Sequence, residues 1–214
     1  MTSDASPDRD RSVWVKVAAS RCGLADALEA LSPEQWESAS WCSGWLVRDV
    51  LGHLVHLAEA SQGSMMRDVM RHPIRPDRAL DQIARQLGGE PVPTLARRLR
   101  QAQHGKFRVV GFPPAVALGE VFVHGNDALR ALGQEFEVYP DDAIPILNTY
   151  RRFGGMAFHA RPQRNVRLVA TDVQWSCGNG PEVVGRAIDL LMLSANRQQV
   201  VESLSGPGVA DIAS

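Results

Sequence analysis

Trp45-Leu46-Val47-Arg48-Asp49-Val50-Leu51-Gly52-His53-Leu54-Val55-His56-Leu57-Ala58 is the stretch that decides the fold. Val47, Val50, Leu51, Leu54, Leu57 and Ala58 recur at the three- and four-residue steps of one helix face, and the spacing predicts a helix over residues 45–70. Upstream, Val13, Val17, Leu24, Leu28 and Leu31 give the same period over residues 12–31, ending before Ser32-Pro33. A loop with Trp36, Trp41, Cys42 and Gly44 joins the two. Downstream, residues 77–87 and 94–103 form a third helix broken by Gly88-Gly89-Glu90-Pro91-Val92-Pro93. After Pro113-Pro114, residues 115–132 are apolar-periodic, and Gly133 follows as the C-terminal cap. Four amphipathic helices with short connections predict a four-helix bundle.

The remainder reads differently. Residues 141–158 are predicted as a helix, while Val166, Leu168 and Ala170 alternate with polar neighbours over residues 165–171 and pair with residues 174–177 in a hairpin. Gly178-Asn179-Gly180-Pro181 is a turn, and residues 181–195, with Ile188, Leu190, Leu191 and Leu193, are predicted as a helix on that hairpin. The expected fold class is α+β, mainly α, with a helical bundle over residues 1–138 and a small α/β unit over 139–214.

Composition narrows the functions. The 214 residues suffice for a core without staples, and 44% hydrophobic with 22% charged residues is the balance of an ordinary globular protein. A net charge of -1 argues against a nucleic-acid or membrane-surface footprint, which needs a cationic excess. The most apolar run, residues 109–123, is broken by Pro113, Pro114 and Glu120 and is too short to span a bilayer. Cys22, Cys42 and Cys177 are odd in number and without paired spacing, so neither a disulfide framework nor a CxxC metal knuckle is expected. The polar start lacks the pattern of a secretory signal, and a cytoplasmic location is the expectation.

Ionisable residues inside apolar helix faces are costly unless paired or ligating, so they carry the chemical information. His53 and His56 lie in one such face, with Asp49 one turn before His53. Glu120 and His124 lie in another, four residues and thus about 40° apart around the axis, with Asp127 continuing the face. One His from one helix and a Glu-His pair from a facing helix make the three-ligand set of a catalytic zinc site with an open position. The plainer alternatives are a core His53 satisfied by Asp49, a solvated Glu120–His124 contact, and His56 as a surface or supporting histidine. Asp127 suits the orientation of an imidazole. His72, His104 and His159 fall near loops and are assigned no chemistry.

Three ordered segments resemble the mycothiol-dependent maleylpyruvate isomerase family of actinobacteria, whose N-terminal half is a DinB-like metal-binding four-helix bundle. Residues 41–54, Trp41-Cys42-Ser43-Gly44-Trp45-Leu46-Val47-Arg48-Asp49-Val50-Leu51-Gly52-His53-Leu54, are similar to one family segment. Gly119-Glu120-Val121-Phe122-Val123-His124-Gly125-Asn126-Asp127 is similar to a second, ending in HgwD. Arg167-Leu168-Val169-Ala170-Thr171-Asp172 and Trp175-Ser176-Cys177-Gly178, ahead of Gly180-Pro181-Glu182, resemble the third. The resemblance implies that His53, Glu120 and His124 bind a divalent metal, zinc in most members, and that mycothiol is the thiol cosubstrate. It implies a catalytic or supporting role for Asp127. It also implies that Arg197 binds an anionic substrate, matching the Arg of a family "G-R" step whose Gly is replaced here by Asn196.

The implied partners are a small-molecule thiol and an electrophile, with no nucleic acid and no membrane, in a monomer or homodimer. The implied chemistry is activation of the thiol for transfer to, or isomerisation of, the electrophile. Asn126, where the family has Trp, and Asn196 are departures on the expected substrate side and motivate a second reading, a non-catalytic metal-binding module. A metal-dependent hydrolase is the third, since an open zinc site also activates water.

Overall fold

Ser32, Ser61 and Pro114 each stand at the residue just before a helix begins. The computed structural model describes residues 7–71, 74–154, 163 and 165–212. Its contacts divide the chain into two compact units, Met1–Phe136 and Glu137–Ser214. The architecture is α+β and mainly α: helices, with one three-stranded sheet in the second unit.

In the first unit α1 (Pro7–Glu29) is followed by the short α2 (Pro33–Trp36), where Ser32 Oγ accepts from Gln35 N–H and the Gln35 side chain accepts from Ser32 N–H. Then come α3 (Val47–Glu59), α4 (Gln62–Val69), α5 (Pro76–Gly88), α6 (Val92–Gln101) and α7 (Ala115–Arg130). Helix α3 packs on α5, α6 and α7, while α1 packs on α6 and α7. The core between them contains Leu24, Leu28, Val50, Leu51, Leu54, Leu95, Leu99 and Val121, all essentially inaccessible. The helix periodicity therefore identified the buried faces.

The helix predicted over residues 45–70 is two helices. Ala60 adopts an extended conformation (φ -63°, ψ 145°), and Ser61 Oγ accepts from Ser64 N–H at 3.1 Å while Ser64 Oγ accepts from Ser61 N–H at 2.9 Å. Two serines three apart offer the backbone partners that compete with continuation of the helix. The helix predicted over residues 115–132 stops at Arg130, two residues early. Gly133 (φ 72°) takes the left-handed turn beyond it, with Gln134 N–H donating to Leu129 C=O. Helices α3 and α5 approach closely: a Cβ on Gly52 would lie 2.4 Å from Ala84 C=O oxygen and 2.7 Å from Gly88 N.

In the second unit α8 (Pro140–Phe153) leads to β1 (Arg167–Ala170), β2 (Ser176–Gly178), β3 (Glu182–Gly185) and α9 (Ala187–Ser194). Residues 155–158 of the predicted helix lie outside the described residues, as do His72 and His159. The predicted hairpin is present, with Leu168 opposite Cys177 in an antiparallel β1–β2 pair. Residues 182–185 are a strand and not the start of a helix, in sheet order β2-β1-β3 with β3 parallel to β1. Arg167 N–H donates to Pro181 C=O and Thr171 N–H to Gly185 C=O, both at 3.0 Å, and Val183 is fully buried. Here the sheet edge outweighs the local apolar pattern, and the helix begins only where Asp172 accepts from Ala187 N–H at 2.8 Å. No helix among the described residues is long and apolar enough to cross a membrane.

Candidate functional site

The start of α3 explains how His53 is aimed. Asp49 accepts from Leu46 N–H at 3.0 Å, satisfying a free donor of the first helical turn. Asp49 therefore does not serve His53, which leaves the imidazole to face α7 one turn later. Residues 120, 124 and 127 follow the three- and four-residue steps of α7 and share its α3-facing side.

There the donor atoms meet. His53 Nε2 lies 3.3 Å from Glu120 Oε2, and His124 Nε2 lies 3.4 Å from the same oxygen. One donor atom from each of the three residues falls within 4.8 Å of the others. Asp127, fully buried, faces the opposite edge of the His124 ring, its Oδ2 3.0 Å from Nδ1. A carboxylate only accepts, so Nδ1 carries a proton toward Asp127, and Nε2 is the edge directed at Glu120.

Electrostatics follow from burial and pairing. Burial lowers the His53 pKa and outweighs the contact with Glu120, so this ring is held neutral. Burial opposes ionisation of Glu120 as well, but hydrogen bonds from His124 and His53 win and hold its carboxyl well below the ordinary range. His124 is likewise opposed by burial, yet Asp127, Cys42 and Glu120 together raise it well above an ordinary histidine. Two buried carboxylates beside one protonated and one neutral imidazole leave an excess of negative charge. A cation on the Nε2, Oε2, Nε2 set would balance it, and the donor types suit a divalent ion.

Three residues that the sequence did not single out complete the surroundings. The Trp45 ring centroid stands 4.9 Å from that of His53 and 5.7 Å from that of His124. Its Nε1–H donates to Asp81 at 2.7 Å, which ties this wall of the site to α5. The Cys42 sulfur lies within 4.8 Å of a donor atom of His124 and of Asp127. The available signal for Trp45 and Cys42 was the Trp41-Cys42-Ser43-Gly44-Trp45 run just ahead of a histidine-bearing helix.

His56 is outside this cluster and pairs with Asp68 at 2.9 Å. Asn126 does not face the cluster. Two residues beyond His124 it points about 200° around the helix, fully buried, donating to Phe122 C=O at 2.9 Å and Phe136 C=O at 3.2 Å. Its place on the expected substrate side is thus corrected to a packing role. Arg197 belongs to the second unit, where its Nη1 donates to Ala195 C=O at 2.6 Å. Asn196 sits in the left-handed conformation (φ 65°), with Arg197 N–H donating to Met192 C=O and Asn196 N–H to Leu193 C=O. That is the residue closing a helix C-terminus, a position that asks for Gly or Asn, so the Gly-to-Asn departure has a backbone explanation.

Comparison with known proteins identifies the family. Residues 17–129, more than half of the chain, match the family described as mycothiol maleylpyruvate isomerase N-terminal domain. The chain belongs to this family. The family match spans α3 and nearly all of α7, and so includes His53, Glu120, His124 and Asp127. A crystal structure of a histidine-to-alanine mutant of the mycothiol-dependent maleylpyruvate isomerase superposes with a TM-score of 0.60 at 13% identity, covering 92% of each chain. A second crystal structure of that isomerase gives 0.56 at 14% identity, again over 92% of each chain. At these identities the likeness shows the fold, over both units of the maleylpyruvate isomerase-like chain. Among curated proteins there is no match.

Proposed function

We propose that this chain is a mycothiol-dependent enzyme of the maleylpyruvate isomerase type. In this reading His53, Glu120 and His124 hold a divalent cation, zinc in the first instance, and a low-molecular-weight thiol is activated toward an electrophilic small molecule as an isomerase or S-transferase. The observation that carries the reading is the convergence of two imidazole Nε2 atoms on Glu120 Oε2 inside a bundle core. The family match supports the thiol, and the fold of the solved isomerases supports the reaction class.

A bound divalent cation would supply Lewis acidity that holds the thiol as thiolate at neutral pH, where a free thiol of pKa about 8.5 is only a few per cent ionised. The chain's own residues supply the rest. Burial keeps His53 neutral, so its Nε2 could ligate a cation in the tautomer that carries the proton on Nδ1. Asp127 retains the proton on His124 Nδ1 and fixes the ring's rotation, which leaves Nε2 free to ligate. Trp45 covers the two imidazoles on one side and limits water there. Orientation of the electrophile must lower the remaining barrier. Arg197 is assigned to an anionic group of that substrate, and the support for this assignment is the resemblance of its sequence position.

The test is elemental analysis of protein purified without added metal, paired with calorimetric titration of mycothiol. One divalent ion per chain, thiol binding, and loss of both in His124→Ala are expected. Stoichiometric metal in His124→Ala would overturn the ligand assignment, and metal without thiol binding would favour the non-catalytic module.

A further inference from the structure

Cys42 sits in a loop whose backbone is fixed from several sides. Trp41 N–H donates to Asp127 C=O at 2.9 Å, docking the loop on α7 at the residue that also contacts His124. Within the loop Cys42 N–H donates to Ser40 Oγ at 3.1 Å, Ser40 Oγ donates to Cys42 C=O at 3.2 Å, and Trp45 N–H donates to the same carbonyl at 3.0 Å. The isolated bridge between Ala39 and Leu46 closes its base. These bonds hold the Cys42 side chain beside α7 before any ligand arrives. Its sulfur lies within 4.8 Å of a ring nitrogen of His124 and the residue is partly exposed, whereas Asp127 is fully buried.

Two groups of donors therefore share His124. Glu120, with His53 beside it, faces the Nε2 edge, while Asp127 faces the Nδ1 edge and its carboxylate lies within 4.8 Å of the Cys42 sulfur. Among the described residues, no set of donors all within 4.8 Å of one another unites the Cys42 sulfur with His53 and Glu120. We propose that Cys42, His124 and Asp127 form a second cation site, distinct from the His53, Glu120, His124 set and selective for thiophilic ions such as zinc or cadmium.

The chemistry of the donors argues for that class. A thiolate, an imidazole nitrogen and a carboxylate are the ligand mixture of tetrahedral d10 ions, and the sulfur disfavours magnesium and calcium. Tetrahedral bond lengths of about 2.0 to 2.3 Å place neighbouring donors about 3.3 to 3.7 Å apart. The three donors already lie within 4.8 Å, so a rotation about the Cys42 side chain closes the remainder. On binding, the Cys42 sulfur releases its proton to solvent as the sulfur–metal bond forms. Ligation through His124 Nδ1 would likewise release to solvent the proton it shares with Asp127, so occupation of this site would withdraw the support that Asp127 gives to the imidazole.

Cadmium(II) titrated into the full chain tests this by the ultraviolet thiolate-to-cadmium absorption and by peptide mapping of cysteine alkylation. The absorption should saturate at one sulfur-bound ion per chain, with alkylation slowed at Cys42 and unchanged at Cys22 and Cys177. Cys42→Ser should abolish the absorption, and His53→Ala should retain it. No absorption, absorption that survives Cys42→Ser, or protection confined to Cys22 or Cys177 would overturn the site. Absorption lost in His53→Ala would also overturn it, because the sulfur would then be a further ligand of the first group. If His53→Ala leaves the total cadmium bound unchanged, the ligand reading under Proposed function fails while this site stands.

Discussion

Replacing Asp127 with asparagine removes one charge from the fully buried side of the cluster while keeping the shape of the side chain. Asparagine's carbonyl can still accept from His124 Nδ1–H, so the 3.0 Å contact survives as a neutral hydrogen bond. What is lost is the charge-assisted part of that bond and the basicity it lends to Nε2. Changes of this kind weaken metal binding by about 10- to 100-fold, or roughly 1.4 to 2.7 kcal/mol. A second effect runs the other way. In the metal-free protein Asp127 helps raise the His124 pKa, so at neutral pH an incoming cation must displace a proton from the Nε2 edge. In Asp127→Asn that pKa falls and less proton is displaced. The expected result is a zinc affinity near the lower end of the 10- to 100-fold loss at pH 7, a larger loss at higher pH, and fewer protons released per ion bound. Competition titration with a chelating indicator gives the affinity, and calorimetry in buffers of different ionisation enthalpy counts the protons. Unchanged affinity with unchanged proton release would refute the argument that Asp127 acts through His124.

Further outcomes follow from the same geometry. Gly52→Ala places a Cβ 2.4 Å from Ala84 C=O oxygen and must push α3 and α5 apart, costing about 1 to 3 kcal/mol against about 1 kcal/mol gained in helix propensity. Urea unfolding should show a lower midpoint with an unchanged slope, and a raised midpoint would contradict the close approach. Asn196→Ala puts a Cβ-bearing residue without Asn's tolerance into the left-handed position and should lose about 1 kcal/mol, while Asn196→Gly should be neutral or slightly stabilising, both read from denaturant midpoints. The stability of metal-free protein should be highest near neutral pH. The depressed Glu120 pKa gives stability present above the ordinary carboxylate range and lost as pH falls through the folded value. The depressed His53 pKa gives stability present above about 6.5 and lost as pH falls below it. The raised His124 pKa gives stability present below about 6.5 and lost as pH rises through the folded value. A flat chemical-denaturation profile from acid to alkaline pH in wild type, indistinguishable from that of a His53→Ala, His124→Ala double variant, would contradict these shifts.

Much of the helical unit was legible because burial there is periodic. Val47, Val50, Leu51 and Leu54 repeat along one face whatever the partner, and Glu120, His124 and Asp127 fall on one side of their helix by step length alone. His53 was the candidate third ligand from its place in an apolar helix face, and the family segments supported that choice. Other features depended on information the local pattern does not hold. Whether residues 182–185 are helix or strand depends on a β1 edge some fifteen residues away, and the edge won because its backbone groups needed partners. The break at Ala60 depended on two serine side chains capping a new helix in place of extending the old one. Asn126 and Asn196 stood out in sequence as departures from a family pattern, but burial of the first and the left-handed backbone of the second gave them structural roles.

By itself the sequence determined which helix faces are apolar and which ionisable residues ride on them, because both are properties of spacing along one chain. Tertiary structure alone decided that Trp45 walls the two imidazoles and that Cys42 lies beside His124 and Asp127. Those relations join a loop, α3 and α7 across the bundle, and distances between separate elements are fixed only when their faces pack.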